Sequence, residues 1–134
     1  MEESRARFVS KWGFDVWGYS LPWLDAAGKI LEIAARKRDL VRIIDFTCGF
    51  GATASYIKYH CRTAFVAGVC RTGFEAGIAG KIVDDVVFGD PNTVMLPWQS
   101  HSFDIVLADT GYVSMGRIHE CLGKDGIIIT QEDF

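Results

Sequence analysis

"VRIIDFTCGFGATA" (residues 41–54) runs from an apolar segment through an aspartate into two glycines that flank Phe50, and then into small residues. "VRIIDF" reads as a buried strand, and the stretch from Gly51 as the start of a helix. Gly49 and Gly51 can take backbone angles closed to other residues, so the chain can turn sharply out of the strand and bring main chain close to a bound group. The helix that follows offers free N–H groups and a partial positive charge, suited to a carboxylate or a phosphate.

Working outward, the same texture repeats. "TAFVAGV" (63–69), "DVVFGD" (85–90), "SFDIVLAD" (102–109) and "GIIITQ" (126–131) read as four further strands. Between them lie helical patterns at 51–61, 72–82 and 112–122; in the last, Met115, Ile118 and Leu122 form one stripe and Gly123 is placed to end it. Strands apolar on both faces, alternating with helices, indicate a parallel sheet covered on both sides. In such a sheet ligands bind beyond the carboxyl ends of the strands, where strand order reverses. Upstream, a helix is expected from about Leu21 to Arg38. Trp23, Leu24, Ala27, Ile30, Leu31 and Ala34 share one face, and Asp25–Lys29 and Glu32–Arg36 are paired on the other. The aromatic segment before it is expected to cover the core, with Trp12, Phe14, Trp17 and Tyr19 as lid candidates. The organisation is one domain over 1–134: a cover at 1–38 and an α/β core at 41–131.

The bulk numbers narrow the function. A chain of 134 residues with 49% hydrophobic and 23% charged residues has the composition of one ordinary globular domain. Its net charge of −3 gives no electrostatic footprint for nucleic acid or an anionic membrane. No segment reaches the ~18–20 apolar residues of a membrane span, and "MEESRARF" lacks a signal-peptide core. Cys48, Cys61, Cys70 and Cys121 show no C-x-x-C spacing, so no metal site is expected, and reduced thiols indicate a cytoplasmic protein. Asp104 reads as structural, Cys48 as a small buried residue, His101 as exposed, and Arg117–Glu120 as a surface pair.

The glycine turn itself leaves the ligand open. Ala54 stands where the dinucleotide fingerprint G-x-G-x-x-G has its last glycine, a place that tolerates alanine, so NAD stays possible on this motif; the G-K-S/T phosphate loop is absent. Over residues 41–131 the chain resembles the class I S-adenosylmethionine-dependent methyltransferases. "IIDFTCGFGATA" is similar to their first motif, "FVAGV" and "VVFGD" to their second and third strands, and "CLGKDGIIIT" to the approach to their fifth. "LPWQSHSFDIVLAD" (96–109) resembles the group that includes the ubiquinone and menaquinone methyltransferases. The resemblance implies a three-layer Rossmann-like sandwich with a mostly parallel sheet of order 3-2-1-4-5. It also implies S-adenosylmethionine as cofactor and a small-molecule acceptor. Asp45 would orient the loop and the methionine amine, with the backbone of Thr47, Gly49 and Gly51 under the cofactor. Asp90, Pro91 and Asn92 would lie at the adenine edge, and Asp109 and Thr110 would line the methyl-transfer face. No catalytic residue is assigned.

The departures are specific. Thr47 stands at the family's first glycine, and Cys70 at the acidic residue that takes the ribose hydroxyls; a thiol is a poor substitute for a carboxylate acceptor. Replacing Cys70 by Asp or Glu is therefore expected to tighten binding if a ribose site remains. The family's last two strands have no counterpart before Phe134. These departures keep a second reading in play, a non-catalytic methyltransferase-like protein. They also make "GIIITQ" an edge strand, from which a homodimer is expected; a monomer at high concentration in sedimentation would contradict that.

Overall fold

The computed structural model describes residues 28–36 and 40–130. Helix α1 covers 28–36 within these. It is followed by β1 (Arg42–Asp45), α2 (Ala52–His60), β2 (Phe65–Cys70), α3 (Gly73–Ala79), β3 (Asp85–Phe88), β4 (Phe103–Leu107), α4 (Met115–Cys121) and β5 (Leu122–Ile129). The five strands form one sheet in the order β3-β2-β1-β4-β5. Every pairing is parallel: Ile44 lies opposite Ala67 and Val106, and Val106 opposite Ile128. The expected topology is thus observed. The aromatic segment, the first part of the N-terminal helix with Asp25, and Gln131 of the last strand lie outside the described residues.

Alternation along the strands splits the core into two layers. Ile43, Val66, Ile105 and Ile129 face Ile30 and Ala34 of α1, Ala54 and Ile57 of α2, and Ala76 and Ala79 of α3. Their neighbours Ile44, Ala67, Val106 and the half-buried Ile128 face Ile118 and Cys121 of α4. The inner strands are therefore buried on both sides, which is why they read as continuous apolar runs. Glu32 and Arg36 pair at 2.6 Å on the exposed side of α1, as their spacing implied. The amide of Arg42 donates to Asp104 Oδ2 at 2.8 Å, which gives Asp104 the structural place expected of it.

Three expectations are corrected. Gly123 does not end α4: the chain passes straight into β5 at Leu122, whose ψ of 128 is extended. A Cβ on Gly123 would stand 3.2 Å from the Phe103 carbonyl oxygen and 3.3 Å from that of His101, so glycine lets β5 start hard against β4. Met115 is exposed rather than on the buried stripe, and Ile118 and Cys121 carry the contact. Arg117 is no idle surface residue: although it reaches Glu120 at 3.4 Å, its Nε donates to the Pro91 carbonyl at 3.1 Å and another nitrogen to that of Val94. It fastens the segment after β3 to α4, a tie between residues more than twenty apart that local spacing cannot reveal.

Candidate functional site

Strand order reverses beside β1, whose two neighbours β2 and β4 lead the chain in opposite directions across the sheet. At the carboxyl end of β1 the chain enters the glycine turn. Gly49 has φ 53 and Gly51 φ 87, both in the left-handed region, and Gly51 is the N-cap of α2. The turn closes through the Gly51 amide, which donates to the Cys48 carbonyl at 2.8 Å, and the Ser55 amide, which donates to Gly51 at 2.7 Å. No side chain caps α2 and its first turn holds no acidic residue.

Asp45 ends β1 and is almost fully buried. Its Oδ1 accepts from the Thr47 amide at 2.8 Å and the Thr47 hydroxyl at 2.7 Å. Thr47 therefore stabilises the turn through its side chain, and its φ is not positive, so the position requires no glycine. Asp45 Oδ2 is buried and has no partner. Burial, only partly offset by the two bonds from Thr47, pushes the carboxyl up from its ordinary 3.8 to about 6.

Cys70 ends β2, buried, with its thiol donating to the Gly49 carbonyl at 3.3 Å. It supports the loop from beneath. Cys48 is buried as expected; a hydrogen bond with Cys70, together with burial, pushes its thiol far above the ordinary range. A Cβ on Gly68 would fall 2.6 Å from Cys48 Sγ, so β2 needs glycine where the loop presses on it.

The rim is completed by the loops after β3 and β4. Asp90 is exposed and accepts from the Asn92 amide at 2.9 Å. The Asn92 side chain donates to the Tyr112 carbonyl at 2.8 Å and accepts from the Ser114 amide at 2.7 Å, joining the two loops. Asp109 Oδ1 accepts from the Gly111 amide at 2.8 Å, and Asp109 and Thr110 are half-buried beside it. Arg71, just past β2, lies 4.4 Å over the Tyr112 ring. Asp45, Thr47, Gly49, Gly51 and Cys70 are thus one tight cluster, while Asp90, Pro91, Asn92, Asp109 and Thr110 form a connected rim. His101 precedes β4, at the opposite end of that strand from Asp109, with its ring nitrogen 3.0 Å from the Leu122 carbonyl. It has no part in this cluster.

Sequence reasoning missed Glu75. It lies on the buried face of α3 and closes a capping box: the Thr72 hydroxyl accepts from the Glu75 amide, and Glu75 Oε1 accepts from the Thr72 amide. The T-x-x-E spacing of "TGFE" (72–75) was the available signal. Its Oε2 is buried without a partner, like Asp45 Oδ2. A separate cavity of about 270 Å³ lies between α4 and the 93–100 segment, lined by Val94, Leu96, Trp98, Phe103 and Arg117 among others.

Solved structures share this fold. A plantazolicin methyltransferase in complex with SAH superposes with a TM-score of 0.66 at 16% identity, over 93% of this chain and 50% of that one. The fold is that of the class I methyltransferases. Coclaurine N-methyltransferase bound to N-methylheliamine and SAH gives a TM-score of 0.59 at 17% identity, over 79% of this chain and 35% of that one. A TehB-like SAM-dependent methyltransferase from Corynebacterium glutamicum gives 0.59 at 20% identity, over 96% and 69%. The chain spans 50% of the length of the first of these structures and 35% of the second. No protein-family model and no curated protein matches the sequence.

Proposed function

We propose that this chain binds S-adenosylmethionine at the glycine turn after β1 and transfers its methyl group to a small-molecule acceptor, as a cytoplasmic homodimer closest in motif to the ubiquinone and menaquinone methyltransferase group. The observation that carries the reading is Asp45: a buried carboxyl with an unpartnered oxygen beside two left-handed glycines, where strand order reverses. A buried acceptor without a donor is costly in isolation and suits a ligand that brings one. In this reading the unpartnered Asp45 Oδ2 accepts from the amine of the cofactor, and the glycine turn lets main chain lie beneath it. The linked loops at Asp90–Asn92 and Asp109–Thr110 form its rim. When bound, the cofactor supplies a methyl group activated on a sulfonium. In-line displacement at such a centre needs alignment above all, which agrees with a rim that lacks histidine: His60, His101 and His119 lie at the end of α2, before β4 and on α4. The shared fold and the SAH complexes among its structural neighbours support the same cofactor, and the net charge of −3 supports an acceptor other than nucleic acid.

One observation favours a non-catalytic reading. Cys70 is turned under the loop, so the end of β2 offers a sugar no carboxylate. Calorimetry with S-adenosylmethionine, S-adenosylhomocysteine and NAD separates the possibilities. Saturable binding of the first two and none of NAD is expected; binding of NAD alone would replace this reading by a dinucleotide enzyme. Binding without transfer to any of a panel of small acceptors would favour the non-catalytic protein.

A further inference from the structure

Two buried carboxyl oxygens among the described residues have no partner, and both lie around the glycine turn. The amine of the ligand accounts for one. The other belongs to Glu75, which is only 3% exposed and shares the buried face of α3 with Ala76 and Ala79. Its Oε1 is fully engaged at the start of α3, accepting from the Arg71 amide at 3.1 Å, the Thr72 amide at 3.3 Å and the Thr72 hydroxyl at 3.4 Å. A capping box needs no more than that one oxygen, and a glutamine would serve it without a second buried acceptor. Oε2 is therefore the feature that capping leaves unexplained.

Its neighbours say what it faces. Glu75 Oε1 holds the amides of Arg71 and Thr72, directly after Cys70, whose thiol meets the Gly49 carbonyl, so the carboxyl lies beside the turn. A Cβ on Gly51 would stand 3.5 Å from the Ala79 backbone, so the turn rests directly on α3. The Phe50 ring meets the Phe74 ring edge-on at 5.9 Å, bridging the same seam. Cys70, the residue at the end of β2, has its thiol engaged with the Gly49 carbonyl and offers no acceptor comparable to a carboxylate. No grouping of three or more His, Cys, Asp or Glu side chains among the described residues has the geometry to hold a metal. What this region presents is thus two separate buried acceptors without donors, one on Asp45 and one on Glu75. A nucleoside attached to an amino acid carries a matching pair of donor groups, an ammonium and a vicinal diol.

We infer that Glu75 Oε2 accepts the ribose hydroxyls of the cofactor, filling from the first turn of α3 the role that the end of β2 has lost. The inference rests on the S-adenosylmethionine reading above. Glu75 becomes a determinant of specificity for a ribonucleoside.

The test compares S-adenosylhomocysteine with its 2′,3′-dideoxy analogue by calorimetry, on the wild type and on Glu75→Gln, which keeps the capping box; equal unfolding midpoints establish that the variant is folded. The wild type should bind the analogue at least tenfold more weakly than the parent compound. Glu75→Gln should bind the parent at least tenfold more weakly than the wild type does, with affinity for the analogue unchanged. Equal losses for both ligands, or none for either, would overturn the inference and leave Glu75 a capping residue. Wild-type protein that binds neither ligand would remove the cofactor reading itself, whereas wild-type protein that binds both equally removes only the role of Glu75. In Cys70→Ala the discrimination between the ligands should persist; its loss there would place the hydroxyls at the end of β2.

Discussion

Gly49→Val should abolish S-adenosylmethionine and S-adenosylhomocysteine binding while leaving a folded protein. With φ at 53, residue 49 sits in the left-handed region, where a side chain costs about 1–2 kcal/mol and a β-branched one lies at the upper end. That is a modest share of the 5–15 kcal/mol that stabilises a typical domain. For a ligand lying on the turn the effect is far larger, because relieving the strain would shift the main chain on which the ligand rests and draw the Gly49 carbonyl from the Cys70 thiol. Gly77→Ala is the matched control, since nothing lies within 4 Å of a Cβ added there. Calorimetry with thermal unfolding on both variants reads the result; a Gly49→Val protein that binds normally would reduce the glycines to a packing role.

The second large effect is a pH dependence centred on Asp45. Its carboxyl is held at about 6 in the folded chain against an ordinary 3.8. A raised value means that the fold favours the protonated form, so the contribution is fully present below about pH 3.8 and is lost as pH rises through 6. At 1.36 kcal/mol per pH unit the difference amounts to about 3 kcal/mol. Between pH 4 and 7 the wild type should therefore lose roughly that much stability relative to Asp45→Asn. The ligand reverses the sign. An ammonium against Oδ2 needs the ionised carboxylate, so affinity for S-adenosylhomocysteine should rise between pH 5 and 7 by up to about tenfold, because with the carboxyl at about 6 only about a tenth of the free protein is ionised at pH 5. Asp45→Asn should bind weakly at every pH in that window. Wild-type affinity that is flat from pH 5 to 7 would show that Asp45 faces no cation.

The architecture was legible because the inner strands are buried on both faces. "RIID", "FVAGVC" and "FDIVL" need no tertiary knowledge to read as central parallel strands, and Gly49 and Gly51 announce a turn that only glycine adopts comfortably. The junction at Leu122 was not legible. Gly123 looks like a helix terminator in one dimension, but its real constraint is the carbonyl oxygens of Phe103 and His101, contributed by another strand. The tie made by Arg117 escaped for the same reason: its partners are backbone carbonyls more than twenty residues away. Glu75 was hidden by its type, since an acid on a short helix reads as solvated surface until the packing of α3 against the glycine turn is known.

The central claim, that the turn after β1 is the ligand site, is tested most directly by amide chemical shifts. Titrating ¹⁵N-labelled protein with S-adenosylhomocysteine should move the resonances of Thr47, Gly49 and Gly51 most, followed by those of Asp90, Asn92, Asp109 and Thr110. Residues lining the separate cavity beside α4, such as Leu96 and Trp98, should stay still. Shifts confined to that cavity, or none at millimolar ligand, would contradict the account.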